Sequence, residues 1–244
     1  MNYDKTKYRQ QDTDARVFLN EFDGLPLRLD PIIDMASDWV PEASYNVPTK
    51  VRKTDVLSVG QNEEDTANIL TDAGFSVVGY DLRTPRLCEP PRYRHIQKDF
   101  VGKSHEDFPD ESFDYAYSLS AIEHFGLPVY GGTVDENYDS KAMDRMWDLL
   151  RWGGTCWVTV PYGKVGRTFF PHWRIYSNDY IHPRLIRKFS VDQMSFFKSH
   201  PDCPGVREYA KDEDDIEWIP KEEADNYEGE NPHVTIFLKL KKDR

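Results

Sequence analysis

The sequence predicts an α/β protein built on a doubly wound, mostly parallel sheet. Three observations carry that prediction. A short apolar run, Val56, Leu57 and Val59, has the length of a buried strand; Gly60 follows at once, and a helical pattern runs from Glu63 to Leu70. A second apolar run, Phe75 to Tyr80, ends on Asp81, about 20 residues after the turn, where an acid bonds both ribose hydroxyls of a bound nucleoside. Strand and helix patterns then keep alternating through the middle of the chain, which implies a parallel sheet with ligands at the carboxyl ends of its strands.

In chain order, residues 1 to 50 read as an extension ahead of the sheet. Helical patterns lie at Asp14–Phe22 and Pro31–Trp39, and Pro26, Pro31, Pro41 and Pro48 punctuate the segment. Such a segment covers a pocket, supports a dimer or packs on the sheet edge; the sequence leaves the three open. Residues 51–244 read as one domain. Strand one is Asp55–Val59, followed by a helix to Ala73 that Gly74 caps. Strand two is Ser76–Tyr80, and a proline-bearing loop spans Arg83–Arg92. Strand three is Tyr93–Lys98, closed by Asp99 and Phe100, and strand four is Phe113–Leu119. A polar loop, Pro128–Asp139, precedes a helix at Lys141–Arg151 whose apolar face is Ala142, Met143, Met146, Leu149 and Leu150. Gly153 and Gly154 stop that helix, and strand five is Thr155–Val160. Beyond it, Asn178–Ile186 reads as a helix and Phe189–Phe197 and His233–Leu240 as strands, the two strands separated by a long acidic loop, Lys211–Asn231.

A net charge of −12 argues against a phosphate-backbone partner. No run approaches the roughly 20 apolar residues of a membrane span, and the start, MNYDKTKYRQ, lacks the apolar core of a signal peptide. Cys88, Cys156 and Cys203 lie far apart, without metal or redox spacing. A cytoplasmic, reduced protein is the expectation, with no membrane and no nucleic acid among its partners.

The first turn selects among nucleoside cofactors. A dinucleotide fingerprint needs three glycines, and only Gly60 is present. Asn62 as N-cap and Glu63, Glu64 and Asp65 in the first turn suit the helix dipole but make a poor cradle for a pyrophosphate. S-adenosylmethionine has no phosphate and carries a sulfonium cation, so it tolerates an acidic rim. The plain alternative is an α/β turn that binds nothing.

These blocks resemble the class I S-adenosylmethionine-dependent methyltransferases. VLSVG is similar to their first motif, GYDL to the acidic end of strand two and QKDF to the acid after strand three. FPDESFDYAYSLSAIEHFG is similar to the strand-four block and LLRWGGTCWVTVPYG to the strand-five block. The resemblance implies a Rossmann-like seven-stranded sheet with an antiparallel last strand, and S-adenosyl-L-methionine as cofactor. The chain departs from the family where Ser58 replaces an acid and Asn62 and Glu64 stand at usual glycine positions. SAIEHFGLPVYG, VPYG and HWRIYS are further similar to methyltransferases found with bacterial glycan or capsule biosynthesis enzymes. That resemblance implies O-methylation of a small polar acceptor such as a sugar or glycan precursor.

On this reading Gly60, Gln61, Asp81, Leu82, Asp99, Phe100 and Ser118 border the cofactor: Asp81 at the ribose, Asp99 and the Phe100 backbone at the adenine, Ser118 and Leu119 by the methionine part. Glu123 and His124 lie at the rim where a methyl acceptor would sit, and His124 is the candidate general base. Local capping or packing is the plain alternative for His124. Some relatives bind a divalent metal with an acid three residues before a Glu-His pair. Ser120 occupies that place here, so no metal is expected, although Asp135 and Asp139 follow on the next loop. Tyr130, Tyr162, His172, Arg174 and Tyr176 form the candidate acceptor site: Arg174 for an anionic group and the aromatics for a sugar face. Their alternative is a loop tied down by its own rings. A competing reading is a catalytically degenerate member acting as a binding or scaffold protein. A nucleic-acid methyltransferase is disfavoured, since SLSA stands where a D-P-P-Y-type tetrad would follow strand four.

Overall fold

The computed structural model describes residues 55–60, 66–72, 74–84, 93–199, 216–228 and 234–243. The expected N-terminal extension, Gln61 to Asp65, Cys88 and Cys203 lie outside these residues.

The sheet is mixed and mostly parallel. Its strands are β1 (Asp55–Val59), β2 (Ser76–Asp81), β3 (Tyr93–Gln97), β4 (Phe113–Leu119), β5 (Leu150–Pro161), β8 (Ser190–Ser199), β9 (Ile216–Ile219) and β10 (Val234–Lys241). Their order is β3-β2-β1-β4-β5-β10-β8-β9. β1 pairs in parallel with both β2 and β4. The chain therefore winds one way from β1 through β3 and the other way from β4, placing the switch point between β1 and β4. β10 runs antiparallel to both β5 and β8, as expected of the last strand. β9 adds one strand beyond the expected seven, inside the segment read as an acidic loop, which also holds the short helix α5 (Lys221–Asp225). Its four residues, IEWI, bury Ile219 while Trp218 rests its ring edge on Phe197.

Strand residues alternate between two apolar layers, which fixes the register because a one-residue slip would exchange them. Val56, Tyr117, Trp157 and Phe237 face one layer with Ala67 and Leu70 of α1 (Thr66–Asp72). Leu57, Val59, Val158 and Ile236 face the other. There they meet Phe100 of α2 (Phe100–Asp107) and Met143, Met146 and Leu149 of α3 (Tyr138–Leu149). Helix α2 is absent from the sequence reading because its few apolar residues give it a weak stripe; the Asp99 carboxylate starts it by accepting from Val101 N and Gly102 N.

Gly153 and Gly154 do not stop α3. The helix ends at Leu149, and both glycines lie within β5, where Leu150 pairs with Phe113 and Thr155 with Tyr115. The four residues between them bulge opposite Asp114 alone, and Gly153 has φ of +80°. After β5 come a hairpin, β6 (Arg167–Phe169) and β7 (Trp173–Ile175), then α4 (Asn178–Ile181), which continues as a π-helical turn, His182–Ile186.

Gly60 closes β1 with φ of +82°, and a Cβ there would lie 2.3 Å from the Ala121 Cβ. The close approach that requires glycine is thus to the chain's own β4 turn. We expect Gly60→Ala to destabilise the fold by about 2–4 kcal/mol, overpacking adding to the left-handed backbone cost. Gly131→Ala, with φ of +74° and nothing within 4 Å, should cost only about 1 kcal/mol. Urea unfolding of the two variants checks the difference.

Candidate functional site

The carboxyl ends of β1, β2, β3 and β4 bring Gly60, Asp81, Asp99 and Ser118 to one edge of the sheet. Ser118 is fully buried and donates from Oγ to the Val59 carbonyl at 2.8 Å, so the ends of β1 and β4 are tied together just before Gly60. Ser120 follows with φ of +42°, a sparsely populated conformation held by its N–H on Thr159. That bend directs the chain into a 3₁₀ turn, Ile122–His124, over the crevice.

His124 is oriented by one hydrogen bond. Its Nδ1 lies 2.6 Å from the His172 carbonyl. A carbonyl only accepts, so Nδ1 carries the proton and Nε2 is left as a basic lone pair. Burial pushes the imidazole pKa down to about 4, with the Arg83 and Arg174 cations acting in the same direction against the His172 carbonyl. The ring keeps 20 % of its surface open. Glu123 is buried, its Oε1 3.8 Å from Nε2, too long for a direct hydrogen bond.

Three of the expected acceptor contacts are internal. Arg174 is buried, and its guanidinium donates to the carbonyls of Phe125 at 2.5 Å, Glu123 at 3.3 Å and Glu136 at 3.4 Å. It clamps the turn that carries His124 instead of facing a ligand. Tyr176 is buried and donates to Asp139 at 2.8 Å. Tyr162 is buried and donates to Asp225 at 2.6 Å. Burial raises both hydroxyl pKa values, so both stay protonated. Their sequence spacing after strand five could not show that the hairpin folds them inward. Tyr130 and His172 are exposed, and the His124 ring edge meets Tyr130 with centroids 5.2 Å apart.

Asp139 is fully buried. It takes the Arg184 fork, with Nε–Oδ2 at 2.7 Å and Nη2–Oδ1 at 2.5 Å, in addition to Tyr176, and Arg174 Nε lies 3.9 Å away. Asp135 pairs with Lys141. Among the described residues no group of three or more His, Cys, Asp or Glu could hold a metal.

On the cofactor side, Asp81 is buried at the end of β2. Its carboxylate accepts from Arg83 N at 2.7 Å, Arg83 Nε at 3.0 Å and Arg83 Nη2 at 2.9 Å. Arg83, which sequence reasoning passed over, lays its guanidinium over the Tyr130 ring, 4.3 Å from the centroid. Leu82 is an exposed apolar side chain, and Gly132 sits close against it. Asp99 accepts from Thr133 Oγ1 at 2.9 Å and from the Tyr138 hydroxyl at 2.8 Å as well as capping α2, so most of its acceptor capacity is committed. The Phe100 side chain is in the core, leaving only its backbone at the crevice. Gln61 lies outside the described residues. The loop from Tyr130 to Thr133 thus touches Arg83, Leu82 and Asp99 in turn.

A family model described as "Caenorhabditis protein of unknown function, DUF268" matches residues 91–190, the segment from β3 to the start of β8. No curated protein matches the chain. Several solved structures do. A putative methyltransferase from Bacillus halodurans is 14 % identical with a TM-score of 0.52, over 88 % of this chain and 99 % of that one. A SAM-dependent methyltransferase from Archaeoglobus fulgidus is 13 % identical with a TM-score of 0.51, over 78 % and 86 %. The Burkholderia thailandensis 1,6-didemethyltoxoflavin-N1-methyltransferase, crystallised with 1,6-didemethyltoxoflavin and S-adenosylhomocysteine, is 15 % identical with a TM-score of 0.50, over 96 % and 84 %. At such identities the likeness shows the fold, which is Rossmann-like and of the methyltransferase type.

The folded His124 ring binds a proton less readily than the unfolded chain, whose histidines titrate near pH 6.5. Stability is therefore complete above about pH 6.5 and declines as pH falls toward 4. His124→Gln should flatten that acid limb; urea midpoints measured from pH 7 to 4 check it, and identical limbs in the two proteins would refute the burial of a neutral ring.

Proposed function

We propose that the protein is an S-adenosylmethionine-dependent methyltransferase that methylates a hydroxyl oxygen of a small polar acceptor, a sugar or glycan precursor being the first candidate. The observation that carries the reading is the pairing, at the carboxyl ends of β2 and β4, of a buried strand-end carboxylate, Asp81, with an imidazole held neutral and with Nε2 as acceptor, His124. The fold shared with solved methyltransferases supports it. The sugar rests on the sequence resemblance alone.

The residues fit the cofactor by donor type. Asp81 offers a carboxylate to two ribose hydroxyls once Arg83 yields it. Leu82 offers an exposed apolar surface beside it, and Asp99 with the Phe100 backbone borders the adenine side. Gly60 and Ser118, where β1 and β4 are tied, border the methionine side. When bound, S-adenosylmethionine supplies an electrophilic methyl group. The protein's contribution is then to orient the acceptor oxygen and take its proton. His124 Nε2 accepts that proton, with the Nδ1–H fixed on His172. Glu123, 3.8 Å from Nε2, favours the imidazolium as it forms. Tyr130 and His172 are the exposed rings available to an acceptor.

The Arg83 fork on Asp81 favours a second reading, a degenerate binding protein whose ribose site is filled by its own side chain. Calorimetry separates the two. We expect S-adenosylmethionine to bind with micromolar affinity and Asp81→Ala to lose most of it; no heat from the unmutated protein would favour the degenerate reading. His124→Ala should lower turnover by roughly 10²–10⁴-fold at nearly unchanged cofactor affinity. In the unmutated enzyme this base should be competent at every pH well above 4, so turnover that falls steeply between pH 8 and 6 would count against it.

A further inference from the structure

The Arg83 side chain joins the Asp81 carboxylate to the His124 neighbourhood. Its fork lies flat against Asp81, with Nε and Nη2 at 3.0 and 2.9 Å from the two oxygens. Its face rests on Tyr130, and the His124 ring meets Tyr130 edge-on. The Arg83 backbone is fixed independently of the fork. Its N–H stays on Asp81 Oδ1 at 2.7 Å, and its carbonyl lies 3.1 Å from His95 Nε2. Gln97 Nε2 holds the adjoining Leu82 carbonyl at 3.1 Å. Only the guanidinium has to move to free the carboxylate.

On the cofactor reading given above, on which this inference rests, two ribose hydroxyls need the oxygens that the fork occupies. A guanidinium cannot be deprotonated, so once displaced it remains a cation beside the crevice. The Tyr130 face can keep holding it by cation–π attraction. That leaves its planar donors next to the ring that adjoins the base. Arg174, which sequence reasoning assigned to an anion, is buried with its terminal nitrogens on backbone carbonyls and cannot serve.

We propose that Arg83 exchanges partners: it occupies the Asp81 carboxylate until the ribose displaces it, and it then binds an anionic group, a carboxylate or phosphate, on the methyl acceptor. Such exchange orders the reaction, because the anion subsite exists only after the cofactor has bound.

The test is calorimetry with S-adenosylhomocysteine on the unmutated protein, Arg83→Gln and Arg83→Lys, followed by titration of inorganic phosphate into each protein with and without saturating S-adenosylhomocysteine. Removing the competing fork should tighten S-adenosylhomocysteine binding about five- to tenfold in Arg83→Gln, a gain that mere structural damage would not produce. Phosphate should bind the loaded unmutated protein with a roughly millimolar Kd, and at least tenfold more weakly to the unloaded protein and to loaded Arg83→Gln. Arg83→Lys keeps the charge without the fork and should retain part of the phosphate binding; it carries the comparison if the Gln variant fails to fold. Equal S-adenosylhomocysteine affinity in the unmutated and Gln proteins overturns the exchange. Phosphate binding that ignores Arg83, or ignores the cofactor, overturns the anion subsite. A failure of the cofactor reading looks different, with no heat from S-adenosylhomocysteine in any of the three proteins, and it removes this inference too.

Discussion

The geometry of the site depends on one buried carboxylate. Asp139 has no exposed surface, yet it takes the Arg184 fork, the Tyr176 hydroxyl and its neighbour's Ser140 N–H, with Arg174 3.9 Å away. Removing two guanidiniums and a carboxylate from water costs several kcal/mol per ion, which mutual attraction repays only when every remaining donor is satisfied. Here the terminal nitrogens reach carbonyls, Arg184 that of Glu136 and Arg174 those of Glu123, Phe125 and Glu136, while Arg174 Nε has only its 3.9 Å approach to Asp139. The net effect on stability is small in such arrangements. Their effect on position is not, because the carbonyls so held belong to the turn and loop that follow β4.

That fixity matters for His124. The residues after β4 have little regular structure of their own, only two short 3₁₀ turns before α3. Loops of this kind are mobile unless anchored. The chain leaves β4 through a strained Ser120, pinned to β5 by its N–H on Thr159, and is then gripped from the far side by Arg174 and the His172 carbonyl. The β6–β7 hairpin supplies both of those grips. Its sequence, with His172, Trp173 and Arg174 in a row, looks like a ligand-facing loop. Folded, it is the support that sets the tautomer of His124.

The succession of strands along the chain was legible in the sequence because its signals are local. Val56, Leu57 and Val59 before Gly60, or Val158 and Val160 before Pro161, state a buried strand by composition alone. Asp81 was legible from spacing and does end β2 buried. What stayed hidden depends on contacts between distant residues. Gly60 reads as a ligand-approach glycine, but the atom it makes room for is the Cβ of Ala121. Gly153 and Gly154 read as a helix stop, but their partners are Asp114 and Lys242, across β4 and β10. Arg174 and Tyr176 read as exposed because they follow a strand end, and nothing nearby in sequence announces the Asp139 carboxylate that draws them in. Arg83 was passed over for the converse reason: its signal is only that it stands two residues after a strand-end acid.

The last point bears on how an acidic protein manages a charged crevice. Asp81, Asp99 and Glu123 would make this edge of the sheet strongly negative if each were bare. Each is instead supplied with a donor or a nearby positive group from the chain: Arg83 on Asp81, the α2 backbone with Thr133 and Tyr138 on Asp99, and Arg174 with His124 beside Glu123. Two of these arrangements are structural, since releasing Asp99 would uncap α2 and releasing Arg174 would free the His124 turn. The Asp81–Arg83 pair is different. It spans two residues, leaves its backbone hydrogen bonds intact when broken, and its Arg83 side chain is partly open to solvent. It is therefore the contact in the crevice that can be broken without uncapping a helix or freeing a turn.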